Sequence, residues 1–126
     1  MLTHAAALRI AARAAEAAEA IPCPMCIAVV DAGANLLHFE RMDDALLASI
    51  EVSIRKARSA VLFKRPTKVF EDMLAGGRTA VLTLPDVLPI EGGIPILIDG
   101  KLAGAIGVSG GTAEQDGQVA NAAAIL

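Results

Sequence analysis

The side chains whose types and spacing could do chemistry are few: Lys56, Arg41, and the carboxylates Glu114 and Asp116 that follow a run of glycines. Lys56 falls in a segment with helical periodicity. It lies about 130° from the centre of that helix's apolar stripe, but only about 55° from a ribbon of small residues. A lysine bordering a face that permits close approach either snorkels to solvent or loses water, lowers its pKa and serves as a base or Schiff-base nucleophile. Arg41 precedes Asp43 and Asp44. It can clamp a ligand carboxylate bidentately or pair with an adjacent aspartate.

The stretch from Gly92 to Asp116 carries seven glycines, so its backbone must approach something closely. Gly110-Gly111 leads into Thr112, with Gln115 three residues on, a capping-box pattern that starts a helix. Glycines before a helix can cradle phosphate. Glu114 and Asp116 in the first turn complement the helix dipole and repel an anion, which argues against a phosphate loop. Carboxylates at a strand–helix junction suit a hydrogen-bond donor, a cation or an interface partner instead.

Cys23 and Cys26 are spaced C-x-x-C but follow a helix and enter a strand, the reverse of a redox motif. They read as one loop cysteine and one buried strand cysteine. His4 lies near the terminus, and His38 shares a strand face with Leu36 and Glu40, which places it in solvent rather than on a metal.

The elements that must position these groups follow from local signals. Residues 3–20 read as an Ala-rich helix capped by Thr3. Met25–Asp31 and Leu36–Met42 read as a hairpin. Asp43 or Asp44 is expected to cap a helix over about 45–63, with an apolar stripe of Leu46, Leu47, Ile50, Ile54, Ala57 and Val61. Ser49, Ser53, Ala57 and Ala60 form the small ribbon, and Glu51 and Arg55 an outward i,i+4 pair. Pro66 ends that helix, and Thr67 is expected to cap a short one to about Leu74. Residues 78–91 are apolar without a period and need something to lie against. Asp99-Gly100 joins two apolar strands as a hairpin turn. In the second strand, Leu102, Gly104, Ile106 and Val108 form one face, and Ala103, Ala105, Gly107 and Ser109 the other. That second face has almost no side-chain volume, so a helix, a sister subunit or a ligand must cover it. The order α-β-β-α-α-β-β-α predicts an α+β fold with helices on a central antiparallel sheet.

At 126 residues and 55% apolar, the chain is expected to form one domain over 1–126 with a real core. Its net charge of −3 and lack of Tyr and Trp argue against nucleic-acid binding, although six of eleven basic residues fall between Arg55 and Lys68. No apolar run is long enough for a membrane span, and the N-terminus lacks a signal-peptide pattern, so a cytoplasmic location is expected.

Several of these segments resemble motifs of the GlcG/HbpS-like family: Asp31-Ala32-Gly33-Ala34-Asn35-Leu36-Leu37 with Arg41-Met42-Asp43; Ser53 to Ala60 with Lys56-Ala57; Gly92-Gly93-Ile94-Pro95-Ile96; and Gly104 to Asp116 with Val119-Ala120. Related domains form the C-terminal part of PduO-type cobalamin adenosyltransferases. The resemblance implies a profilin-like α/β/α sandwich, a homo-oligomer, and binding of haem or a corrinoid in some members. The matching motifs carry Arg41, Asp43, Lys56, Gly92, Gly93, Pro95, Gly107, Ser109, Gly110, Gly111, Glu114 and Asp116 as candidate ligand-binding residues. No iron ligand is placed, since neither His4 nor His38 lies in a matched motif. The cysteine pair depart from the family pattern, as does Gly117, where an acidic residue is common. Two functions are therefore expected to compete. One is a homo-oligomeric binder of haem or a related tetrapyrrole, walled by the small-residue face and segment 78–91. The other is an isomerase or lyase acting on an organic acid, with Lys56 as base and Arg41 as carboxylate clamp. A purely structural oligomer subunit is the third reading.

Overall fold

Backbone hydrogen bonding organises the described residues into four α-helices and four strands in the expected order. The computed structural model describes residues 1–125. Helix α1 (His4–Ala20) is capped by the Thr3 hydroxyl, which accepts from the Ala6 amide at 3.1 Å. Strands β1 (Cys26–Asp31) and β2 (Leu36–Arg41) form the first hairpin, and the Asp31 carboxylate accepts the amides of Gly33 and Asn35 to hold its loop. After α2 (Ser49–Phe63) and α3 (Thr67–Ala75), a 3₁₀ turn (Thr79–Thr83) leads through irregular chain to β3 (Gly93–Ile98). Strand β4 (Lys101–Ser109) and helix α4 (Ala113–Ala123) complete the chain. At the β3–β4 turn Asp99 and Gly100 both take positive φ, +51° and +76°, as the Asp-Gly pair predicts.

The sheet is antiparallel throughout, in the order β2-β1-β4-β3. The long return from β2 through two helices to β3 makes the chain's last strand a central one. Helices α1 and α4 cover one face, where Ile10, Ala14, Val119 and Ala120 pack against Ile27, Val29, Ile106 and Val108. Helix α2 covers the other, where Ala57, Ala60 and Val61 pack on Ala28, Val30 and Ala105. The result is the three-layer α+β arrangement that the element order predicts.

Three local expectations are corrected. Helix α2 starts at Ser49, not 45, and Ala48 precedes it with no side-chain cap. Asp44 turns left-handed (φ +68°), which ends any helical path there, so neither Asp43 nor Asp44 is a cap. Leu46 and Leu47 stay 64% and 73% exposed, and the buried face of α2 is centred on the small ribbon with Lys56; of the apolar stripe Ala57 and Val61 are buried with it, and Ile50 and Ile54 are half-buried. The physical reason lies on β4: Gly107 offers no side chain, so only a helix with small residues can reach the sheet backbone. A Cβ on Gly107 would collide with the Ser53 carbonyl and lie 2.6 Å from the Ala57 nitrogen. Finally, the β3–β4 register slips so that Leu97 pairs with Leu102 and Ala103 has no partner in β3. This bulge turns Leu102 toward α2 and Ala103 toward α1, the reverse of strict alternation.

Candidate functional site

Helix α2 carries Lys56 into the seam between itself, β4 and α4. The side chain is 1% exposed. Its ammonium donates to Asp116 Oδ2 at 2.9 Å and to the Val108 carbonyl at 2.9 Å. Of the two alternatives for Lys56, burial holds and snorkelling does not, because the small-residue ribbon brings α2 too close to the sheet to leave an exit path. Asp116, 3% exposed, is held by the α4 start: Thr112 caps, Gln115 closes the capping box, and the Gly111 amide donates to Asp116 Oδ1 at 2.9 Å. Burial pushes the Asp116 carboxyl above the ordinary carboxylate range, while Lys56 and the Gly111 amide pull against that shift.

The glycine pair at the start of β3 closes the seam. Gly92 takes φ +133°, and a Cβ there would lie 2.6 Å from the Val108 oxygen and 2.8 Å from Lys56 Nζ. A Cβ on Gly93 would run into the Lys56 carbonyl and Thr67. Thr67 is the first residue of α3, not its cap; its buried hydroxyl accepts the Gly93 amide at 2.9 Å. The Gly92 carbonyl accepts the Val108 amide at 2.9 Å. Nearby, the Ser109 hydroxyl donates to Ser49 at 3.1 Å, tying β4 to the first turn of α2. Gly110 packs on Pro24 and Met25.

Of the twelve motif residues, the structure therefore brings Lys56, Gly92, Gly93, Gly107, Ser109, Gly110, Gly111 and Asp116 onto one strip, enclosed except at Gly110 and Gly111. Arg41 and Asp43 stand exposed at the far edge of the sheet, and Glu114 is exposed on the first turn of α4. Pro95 lies apart, on β3. The face of Ala105, Gly107 and Ser109, a candidate ligand surface in the sequence, is covered by α2. Thr67 and the Val108 carbonyl were not legible as seam residues: nothing within a few positions of either signals its partner. Gly117, the departure from the acidic residue common in the family, lies under the Glu91 side chain, which fills the space a Cβ would need.

The remaining candidates are quiet. Cys23 and Cys26 are free thiols, half-buried and buried, and burial pushes both pKa values up, away from the reactive thiolate. His38 Nε2 lies 2.9 Å from Glu40 Oε1 on the same strand face. Glu51 and Arg55 form no ion pair among the described residues. No described group of three or more His, Cys, Asp or Glu could hold a metal ion, and no described helix is long and apolar enough to cross a membrane.

Open surface lies elsewhere on β3. Ile94, Pro95 and Leu97, with Pro66, Leu102 and Lys64, line a cavity of about 530 Å³. Leu97 is 53% exposed. Lys64, in the left-handed position that ends α2, is its charged member.

Residues 2–125 match the family described as haem degrading protein HbpS-like. The Escherichia coli K12 protein GlcG is 44% identical over 109 residues, covering 86% of this chain and 81% of GlcG. The corrinoid adenosyltransferase PduO of Salmonella typhimurium is 36% identical over 115 residues, covering 87% of this chain and 34% of PduO. The crystal structure of a PduOC–haem complex superposes with a TM-score of 0.87 at 31% identity, covering 98% of this chain and 92% of that one. The covered length, the shared fold and the seam built from the matched motifs agree: this chain belongs to the HbpS-like family.

Proposed function

We propose that this protein is a homo-oligomeric binding protein for haem or a related tetrapyrrole, and that the apolar shelf on β3 receives the macrocycle. The observation that carries this reading is the shelf itself: about 530 Å³, within the range of small-molecule sites, lined by Ile94, Pro95, Leu97 and Leu102 beside one ammonium, Lys64. Flat apolar walls suit a macrocycle, and Lys64 suits a peripheral carboxylate. The PduOC–haem complex supports the ligand class; the resemblance to PduO supports testing a corrinoid beside it. No His, Cys or Met lines the shelf, so contact with the ring, not an iron bond, would hold the ligand there. The seam does not favour the isomerase or lyase reading, since both hydrogen bonds made by the Lys56 ammonium go to protein atoms.

Titration with hemin is expected to give a saturable, shifted Soret band near one ligand per chain. Metal-free protoporphyrin is expected to bind within about threefold of hemin, because ring contact dominates. Leu97→Glu places a charge on the shelf and is expected to weaken both at least tenfold. Absorbance that never saturates, or a Leu97→Glu variant that binds normally, overturns the assignment. Sedimentation of the purified protein tests the oligomer separately.

A further inference from the structure

A second cavity lies where α2, α3 and the 3₁₀ turn meet. It measures about 270 Å³. Phe63, Phe70, Met73 and Val81 form its apolar wall, with Phe70 and Val81 almost fully buried. The two phenyl rings meet edge to face, their centroids 5.3 Å apart at 77°, which fixes the shape of the wall. Arg65 and Arg78 line the same cavity and are exposed.

The two arginines decide what could enter. Arg65 Cζ sits 5.8 Å from the Phe70 ring centroid, and its Nε donates to the Phe63 carbonyl at 3.2 Å. That bond and the ring contact orient the guanidinium, and neither terminal nitrogen has a protein partner among the described residues. Arg78 makes no side-chain hydrogen bond or ion pair among the described residues, and no acidic side chain lines the cavity. Two unpaired guanidinium groups beside an aromatic wall, in a chain of net charge −3, mark this as a local site for an anion. The size is just below the range of about 300–1,000 Å³ usual for drug-sized ligands, so it suits one ring or a branched chain and not a macrocycle.

We infer that this cleft binds a small carboxylate with an aromatic or branched apolar body, the body against Phe63 and Phe70 and the carboxylate between Arg65 and Arg78. The site is separate from the β3 shelf and independent of whether the shelf takes a tetrapyrrole.

Phenylacetate titrated into the ¹⁵N-labelled full chain tests this. Saturable amide shifts are expected at residues 63–73 and 78–84. The double variant Arg65→Gln/Arg78→Gln is expected to bind at least tenfold more weakly, and uncharged 2-phenylethanol at least tenfold more weakly than phenylacetate. Saturation with hemin should leave phenylacetate binding unchanged. The inference is overturned by absent or non-saturable shifts, by 2-phenylethanol binding as well as phenylacetate, or by an unaffected double variant. Tighter binding of phenyl phosphate overturns the carboxylate assignment. Loss of an oligomer in Arg78→Gln, with no phenylacetate shifts in the parent chain, would instead make the cleft a contact between copies.

Discussion

Strand β3 belongs to two regions built from opposite materials. At its start, Gly92-Gly93 is pressed between Lys56, Val108 and Thr67, with the Lys56 ammonium and the Gly93 amide hydrogen-bonded to protein atoms and no room for a methyl. A few residues on, Ile94, Pro95 and Leu97 present apolar surface that the fold leaves partly uncovered. The difference teaches where to look for function. Eight of the twelve motif residues lie in the closed region, where they help weld α2, β3, β4 and α4 together. The open region holds Pro95 alone of those twelve, and it is the one a ligand can reach.

Substitutions in the two regions should therefore separate folding from binding. The largest effect is expected from Gly107→Ala, whose Cβ meets the backbone of α2 and cannot be relieved by a side-chain shift. A loss of more than about 4 kcal/mol, read as failure to fold or a collapsed urea midpoint, is expected. Near-normal stability would show that α2 does not sit on the sheet as described.

Lys56→Met comes next. It leaves Asp116 buried without its ammonium, at an expected cost of about 3–5 kcal/mol by urea unfolding. The pH dependence has a defined sign. Burial already raises the Asp116 carboxyl, and Lys56 opposes that rise. Without Lys56 the upward shift grows, and the folded state holds a proton that the unfolded state releases. The Asp116 contribution to stability then falls as pH rises from the unfolded carboxylate value, about 3.9, through the raised folded one, and is fully present only below that window. In the parent chain Asp116 contributes with the same sign over a narrower window. Urea midpoints across the acid range check this, and a variant that loses stability on acidification through the window contradicts it.

Thr67→Val keeps the shape but removes the acceptor for the buried Gly93 amide, with an expected cost of about 1–3 kcal/mol. The smallest stability effect belongs to the open region. Leu97→Glu should shift stability by no more than about 0.5 kcal/mol while weakening tetrapyrrole binding at least tenfold. If it unfolds the protein instead, the shelf is part of the core and the contrast between the two regions fails.

Much of the fold was legible because its signals are local. Thr3 caps α1 from three residues away, Asp99-Gly100 turns on its own dihedral preferences, and Thr112 and Gln115 satisfy each other's backbone within one turn. The candidate site was legible only as membership. The residues of the seam could be picked out, but not that Lys56 and Asp116, sixty positions apart, pair directly.

The sequence by itself determined the element order, the caps of α1 and α4 and the β3–β4 turn, because each depends on groups a few bonds apart. The tertiary structure alone decided which face of α2 is buried. Apolar periodicity carries the expected stripe back to Leu46 and Leu47, which lie before α2 and stay exposed, whereas the bare face of β4 rewards backbone contact and buries Ser53, Lys56 and Ala60 beside Ala57 and Val61. That same close approach encloses Lys56, which in an isolated helix would reach water. Burial there is set by what lies opposite, and what lies opposite Lys56 is β4 and α4, folded back from the far end of the chain.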